Sequence, residues 1–297
     1  MEKDNQTPNE KKRKLIICSM VPRSQSSILY RVIINMPNIY GIFEPLRCIK
    51  FYESGDRKKD EKNFNTIEDL ENRIEEIFKQ DSQAIVFWKE SFILFPSKKE
   101  LLNKFSQKYD CRFIHLARHP KLVANSWNNF ILKCMKKNNK EIIDPKYTED
   151  FLNRGVNYVD FLQLLKENKG YNMDSSLFVQ NPKEHMTSLC NYLGLEFKEE
   201  YLQFEPLINN PDLIPYRIFV YEYAEFLFHN MLHSTKIDSK KCPTLEEVNV
   251  PKLEGELNLK SLIYDWEKEE KDYFEFKKLA ENDYKTYFEL KDSIIEK

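Results

Sequence analysis

Glycine is scarce in this chain: six residues in 297, the first of them Gly41. The pattern G-x-x-x-x-G-K-[ST] occurs nowhere, which argues against an ordinary ATP or GTP hydrolase built on a Walker A loop. Cysteines are few and dispersed. Cys18, Cys48, Cys111, Cys134, Cys190 and Cys242 form no close pair, a spacing that fits reduced thiols better than a disulfide framework or a zinc site. No apolar run approaches the roughly 18 residues of a membrane span. An excess of one charge is missing too. Lys+Arg number 46 against 48 Asp+Glu, a net charge of −2, whereas nucleic-acid binding leaves a strongly basic footprint. The opening MEKDNQTPNEKKRK has no apolar core of a signal peptide, so the expectation is a cytoplasmic chain with a disordered polar tail over 1–14.

Short apolar runs alternate with amphipathic segments over the next two thirds of the chain. Leu15–Met20 is rich in β-branched residues and fits a central strand buried on both faces. Ser26–Met36 has Ile28, Leu29, Val32 and Ile33 at helical spacing, with Pro37 as its stop. Tyr40–Phe43 reads as a second strand, and Pro45 should hold Glu44 extended. Thr66 is the expected N-cap of an amphipathic helix. Residues 84–89 and 112–118 read as the third and fourth strands, and SLFVQ (176–180) as the fifth. A helix then starts with Asn181 as cap and Pro182 in its first turn, and Gly194 lies just past its end. This alternation predicts an α/β fold. A central, mostly parallel sheet carries helices on both faces, in a three-layer sandwich like that of the P-loop NTPases, with a helical C-terminal extension. One domain over 15–297 is expected, divided into a core at 15–205 and a mainly helical part at 206–297.

The join between the first strand and the first helix reads Pro22-Arg23-Ser24-Gln25-Ser26-Ser27. A helix N-terminus at the carboxyl end of a parallel strand offers unpaired N–H groups and a partial positive charge. Three serine hydroxyls and a planar guanidinium add donors suited to a phosphate or sulfate. The same residues would also serve a plain helix cap beside a solvated arginine. A second segment, RHPKLVANS, puts Arg118 at the end of the fourth strand and Ser126 two turns into the next helix. That pair can point at one shared spot and grip a second phosphate.

With these two segments in view, the sequence resembles the sulfotransferase family that uses 3′-phosphoadenosine-5′-phosphosulfate (PAPS). PRSQSS is similar to the family's loop for the 5′-phosphosulfate, and R-x-P with Ser126 is similar to its 3′-phosphate motif. FEP after the first helix, the lysine of FWK and the segment NPKEHMTSLCNYLGLEF complete the likeness, in order, over roughly residues 15–198. Gln25 stands where many members carry glycine. Ser91 stands where one branch carries a histidine base.

The resemblance implies sulfuryl transfer to a hydroxyl or amine of a small-molecule acceptor, with PAPS as co-substrate, adenosine bisphosphate (PAP) as product and no metal. It implies Glu44 as general base, with Glu90 as the alternative. Arg23 and Lys89 would neutralise charge at the transferring group. Residues 24–28 (Ser24, Gln25, Ser26, Ser27 and Ile28) would hold the 5′-phosphate, and Arg118 and Ser126 the 3′-phosphate. Trp88, Trp127 and the C-terminal tyrosines are candidates for stacking on adenine. A fold that only binds a nucleotide or anion, and a small-molecule kinase, are the other readings. No nucleic-acid or membrane partner is expected, and the chain should be a monomer or homodimer. YRIFVYEYAEFLF (216–228) reads as core packing or as a lid, and His229 and His233 as packing rather than zinc ligands.

Overall fold

Leu15, Ile16 and Ile17 have no exposed surface, because their strand lies at the centre of the sheet with helices above and below it. The computed structural model describes residues 12–54, 64–95, 98–137, 157–209, 234–238, 242–252 and 265–294. The described residues form five strands, β1 (Lys14–Met20), β2 (Ile39–Phe43), β3 (Ile85–Ser91), β4 (Asp110–Ala117) and β5 (Tyr171–Asp174), all parallel, in the order β2-β3-β1-β4-β5. The helices are α1 (Ser26–Ile34), α2 (Pro45–Glu53), α3 (Ile67–Gln80), α4 (Lys99–Lys108), α5 (Pro120–Lys137), α6 (Tyr158–Glu167), α7 (Ser175–Gln180), α8 (Pro182–Leu193) and α9 (Trp266–Ile294). This is the α/β architecture expected, with a C-terminal helix.

Alternate residues of each central strand feed two separate cores. Leu15, Ile17, Val86 and Trp88 pack under α3, α4, α6 and α9. Ile16, Cys18 and Phe87 face the other way, against α1 and α8. Burying one such side chain contributes about 1.5–3 kcal/mol, so the two cores dominate the stability of the sheet.

Local signals set the helix ends. Thr66 Oγ1 accepts from the Asp69 N–H at 3.1 Å, and Asp69 Oδ2 accepts from the Thr66 N–H at 3.0 Å. This reciprocal box opens α3 as the sequence indicates. Gly194 ends α8 at φ 64°, a left-handed backbone that glycine adopts without strain. On β5, the Asn172 N–H donates to Asp283 of α9 at 2.8 Å, so the last helix pairs a main-chain donor of the edge strand.

Two expectations fail. SLFVQ is helix α7, not the fifth strand; β5 is the preceding YNMD. The Asp174 carboxylate accepts from the N–H groups of Ser176 and Leu177 and so starts a helix at Ser175. Phe178 and Val179 then reach the core from one helix face. Glu44 is not extended before Pro45: its φ is 47°, in the left-handed region. The segment 216–228 and His229 and His233 lie outside the described residues.

Candidate active site

Helix α1 leaves β1 onto one face of the sheet, and α5 leaves β4 onto the other. The carboxyl ends of these adjacent strands therefore flank a topological switch point, where open α/β sheets bind ligands. Arg23 stands at one lip of this crevice and Arg118 at the other.

The loop after β1 is fixed by its main chain. Val21 N–H donates to Leu116 O at 2.9 Å, and Ser24 N–H to Val21 O at 3.2 Å. Arg23 and Gln25 both adopt positive φ, 67° and 60°. Such alternation turns successive N–H groups towards a common concavity, the geometry of an anion nest. Gln25 therefore has the backbone that glycine would adopt freely, which accounts physically for glycine in similar loops. Gln25, not Ser24, is the N-cap of α1, and no side chain caps the helix. Ser24 is fully buried and its hydroxyl has no hydrogen-bond partner among the described residues, as a donor aimed at a ligand would be.

Distant segments converge on this loop. Arg23 donates from Nε to Ser126 Oγ at 3.2 Å, and Arg118 reaches the Arg23 carbonyl at 3.5 Å. The loop after β1 and the segment from Arg118 to Ser126 thus meet through these two contacts. Arg118 is 3% exposed, and burial lowers its pKa from the usual arginine value. An arginine still stays charged there. Tyr158 of α6 donates its hydroxyl to the Arg118 carbonyl and so fixes that peptide.

The second half of the site lies one strand further along. Lys89 of β3 pairs in sheet register with Phe43 of β2 and Cys18 of β1. Its ammonium lies 2.7 Å from Glu44 Oε1 and 3.8 Å from the Phe43 ring centroid. Arg47, one turn into α2, lies 3.5 Å from Glu44 Oε2 with its side chain 41% exposed. Burial pushes the Lys89 ammonium down to about 7; Cys18 and Glu90 oppose the shift, and Arg47 and Arg23 add to it. Arg23 is near enough to lower the Lys89 pKa, so the loop after β1 and the Glu44–Lys89 pair lie close to each other.

Sequence reasoning missed some of these contacts. Arg47 has a readable signal, an i,i+3 spacing from Glu44 across a helix start. Cys242, which accepts from Gln25 Nε2 at 2.6 Å, has none, being far away in sequence. Trp88 is removed as an adenine platform, since it is wholly buried against Phe95 and Phe105. Trp127 is partly buried and packs on Phe130 at 5.3 Å. A cavity of about 870 Å³ opens elsewhere, at the amino ends of β1, β3 and β4, and none of the candidate residues lines it. Among the described residues, no three His, Cys, Asp or Glu side chains are grouped to hold a metal ion, and no helix is long and apolar enough to cross a membrane.

No family model and no curated protein matches the chain. Solved structures do. The sulfotransferase domain from the curacin biosynthetic pathway superposes with a TM-score of 0.53 at 17% identity, over 86% of this chain and 99% of its own. The sulfotransferase domain of the Synechococcus PCC 7002 olefin synthase gives 0.48 at 18% identity, over 88% and 98%. The first of these likenesses fixes the fold. The chain has the sulfotransferase fold.

Proposed function

We propose that the protein transfers a sulfuryl group from PAPS to a hydroxyl or amine of a small-molecule acceptor. One observation carries this reading above the rest: a loop with an unpaired buried serine hydroxyl, a paired Arg23–Ser126, and Arg118 all meet at the switch point beside a buried Glu44–Lys89 pair. The residues fit the donor in number and in charge. When bound, PAPS supplies a sulfuryl group on a phosphate that can leave.

The N-terminal N–H groups of α1, with the hydroxyls of Ser24, Ser26 and Ser27, hold the 5′-phosphate, as helix N-termini hold anions. Gln25 and Ile28 contribute their main chain to the same cradle. Arg118 and Ser126 hold the 3′-phosphate, the group that separates PAPS from ATP. Glu44 accepts the acceptor's proton while the new bond forms between sulfur and the acceptor oxygen or nitrogen. Arg23 and Lys89 stabilise the negative charge on the bridging oxygen as the old sulfur–oxygen bond breaks and adenosine bisphosphate departs. By analogy with phosphoryl transfer, positioning and charge stabilisation supply most of the rate.

The Glu44→Gln variant tests the assignment of the base. Transfer from ³⁵S-labelled PAPS to a panel of phenols, alcohols and amines should fall at least 100-fold, in line with the usual share of acid–base catalysis. Binding of 3′,5′-adenosine bisphosphate, followed by calorimetry, should stay within about threefold of the wild type. Transfer at the wild-type rate would remove Glu44 as the base.

A further inference from the structure

Glu90 follows Lys89 on β3, points to the opposite face of the sheet and is completely buried. A buried carboxylate is costly unless its oxygens are paired. Both are. Oε2 accepts from the Leu46 N–H at 2.7 Å, and Oε1 from the Ser91 N–H at 3.0 Å. One side chain therefore ties the first turn of α2 to the end of β3. With both oxygens occupied by main-chain donors and no exposed surface, Glu90 does not reach an acceptor.

What the tie restrains is the peptide at Glu44. A residue before proline is driven towards extended backbone by the proline ring, and a side chain with a Cβ resists positive φ. Glu44 defies both at φ 47°. Residues held in such regions persist only where the surroundings over-determine them. Here the Glu44 N–H donates to Lys89 O at 2.7 Å, Pro45 follows, and the next N–H, that of Leu46, is taken by Glu90. The left-handed turn aims the Glu44 carboxylate back over β3 onto Lys89.

We propose that Glu90 is the positioning residue for Glu44: its carboxylate pins the strained 44–46 turn to β3, and so places the base against Lys89. This inference rests on the reading of Glu44 as the base for its catalytic consequence, though not for its geometric one. A shorter side chain, or an amide that replaces one acceptor oxygen by a donor, cannot hold both N–H groups as the carboxyl does. The turn then relaxes towards extended backbone, and the Glu44 carboxylate swings away from the ammonium.

The test is the Glu90→Gln variant of the full chain, with three readouts. Its crystal structure should show Glu44 outside the left-handed region, with its contact to Lys89 lost. Transfer of label from ³⁵S-PAPS, to water as sulfate and to a phenol panel as sulfate esters, should fall at least tenfold. Affinity for 3′,5′-adenosine bisphosphate should change by less than threefold, a split that general destabilisation would not give. An unaltered 44–46 turn overturns the proposal, as does an equal loss of bisphosphate binding. If the glutamine variant does not fold, Glu90→Asp makes the same test, since it keeps the charge and loses the reach. Glu44→Gln run in parallel keeps the two ideas apart. Wild-type transfer by that variant sinks the base, whereas the crystal structure alone decides whether Glu90 holds the turn.

Discussion

Arg23 and Ser126 are joined by a hydrogen bond of 3.2 Å from guanidinium Nε to hydroxyl, across 103 residues of sequence. The bond links the loop that follows β1 to the helix that follows β4, so the two proposed phosphate subsites share a contact. Removing the hydroxyl should affect how Arg23 presents its fork, and a lysine at 23 cannot reproduce that fork. In a double-mutant cycle of Arg23→Lys and Ser126→Ala, read by bisphosphate affinity, the two effects should be non-additive by about 0.5–3 kcal/mol. Strict additivity would mean that the two residues act on separate ligands or on none.

Lys89 gives a pH dependence whose sign is fixed. Its pKa is pushed down to about 7, so the free protein loses this positive charge as pH rises through neutrality. Corrected for the negative charge the ligand itself gains, affinity for the bisphosphate should therefore fall between roughly pH 6 and pH 8. Lys89→Met should remove that fall. Calorimetry across this range, on both proteins, checks it; identical curves would place Lys89 away from the donor.

Glu90 bears on stability in a defined window. Burial raises its carboxyl from 4.5 to about 7, with the Ser91 and Leu46 N–H groups and Lys89 opposing. A folded carboxyl pKa above the unfolded one means the folded state binds the extra proton. This contribution is complete below the unfolded value and is lost as pH rises from about 4.5 to about 7. In denaturant unfolding from pH 5 to pH 8, the wild type should lose stability relative to Glu90→Gln. A flat difference between the two would contradict the shift.

Gln25 occupies positive φ without being glycine. Gln25→Gly should be tolerated, with unfolding free energy within about 1 kcal/mol of the wild type, because backbone relief and added unfolded-state entropy oppose each other. Gln25→Val should cost more, about 1–3 kcal/mol, since a β-branched residue fits that region worst. Urea unfolding of both variants decides; equal costs would mean that the loop adjusts its backbone.

The long α9 is tied to β5 and α6 through one buried and one partly buried polar pair. Tyr273 donates to Asp174 Oδ2 at 2.5 Å, and Glu269 accepts from the Tyr158 N–H at 3.2 Å. Burial raises the Asp174 carboxyl above its ordinary range. Tyr273→Phe leaves one carboxylate oxygen short of its donor and should cost about 1–3 kcal/mol in urea unfolding. No loss would show that the pair does not anchor this helix.

Much of this fold was legible because its signals are local. Leu15–Met20 announces a two-sided strand, Thr66 an N-cap, and Gly194 a helix end. SLFVQ misled because its apolar residues fit a strand as well as a short helix. The arbiter was Asp174-Ser175-Ser176, a capping pattern one step upstream. At Glu44 the proline rule is a true local preference, and it loses to a tertiary tie from Glu90, invisible in sequence because the partners lie 44 residues apart. Trp88 ends up in the core because its strand position faces helices, which a count of aromatic residues does not reveal.

The central claim is that this site binds a 3′-phosphorylated adenine nucleotide. Thermal unfolding with 3′,5′-adenosine bisphosphate, against 5′-AMP and ATP, tests it most directly. At 100 times the dissociation constant the ligand should add about 2.7 kcal/mol. That corresponds to a rise of several degrees, at about 2–4 °C per kcal/mol for a chain of this order of size. The account predicts a shift with the bisphosphate alone, lost in Arg118→Ala. No shift with the bisphosphate, or an equal shift with ATP that survives Arg118→Ala, would contradict it.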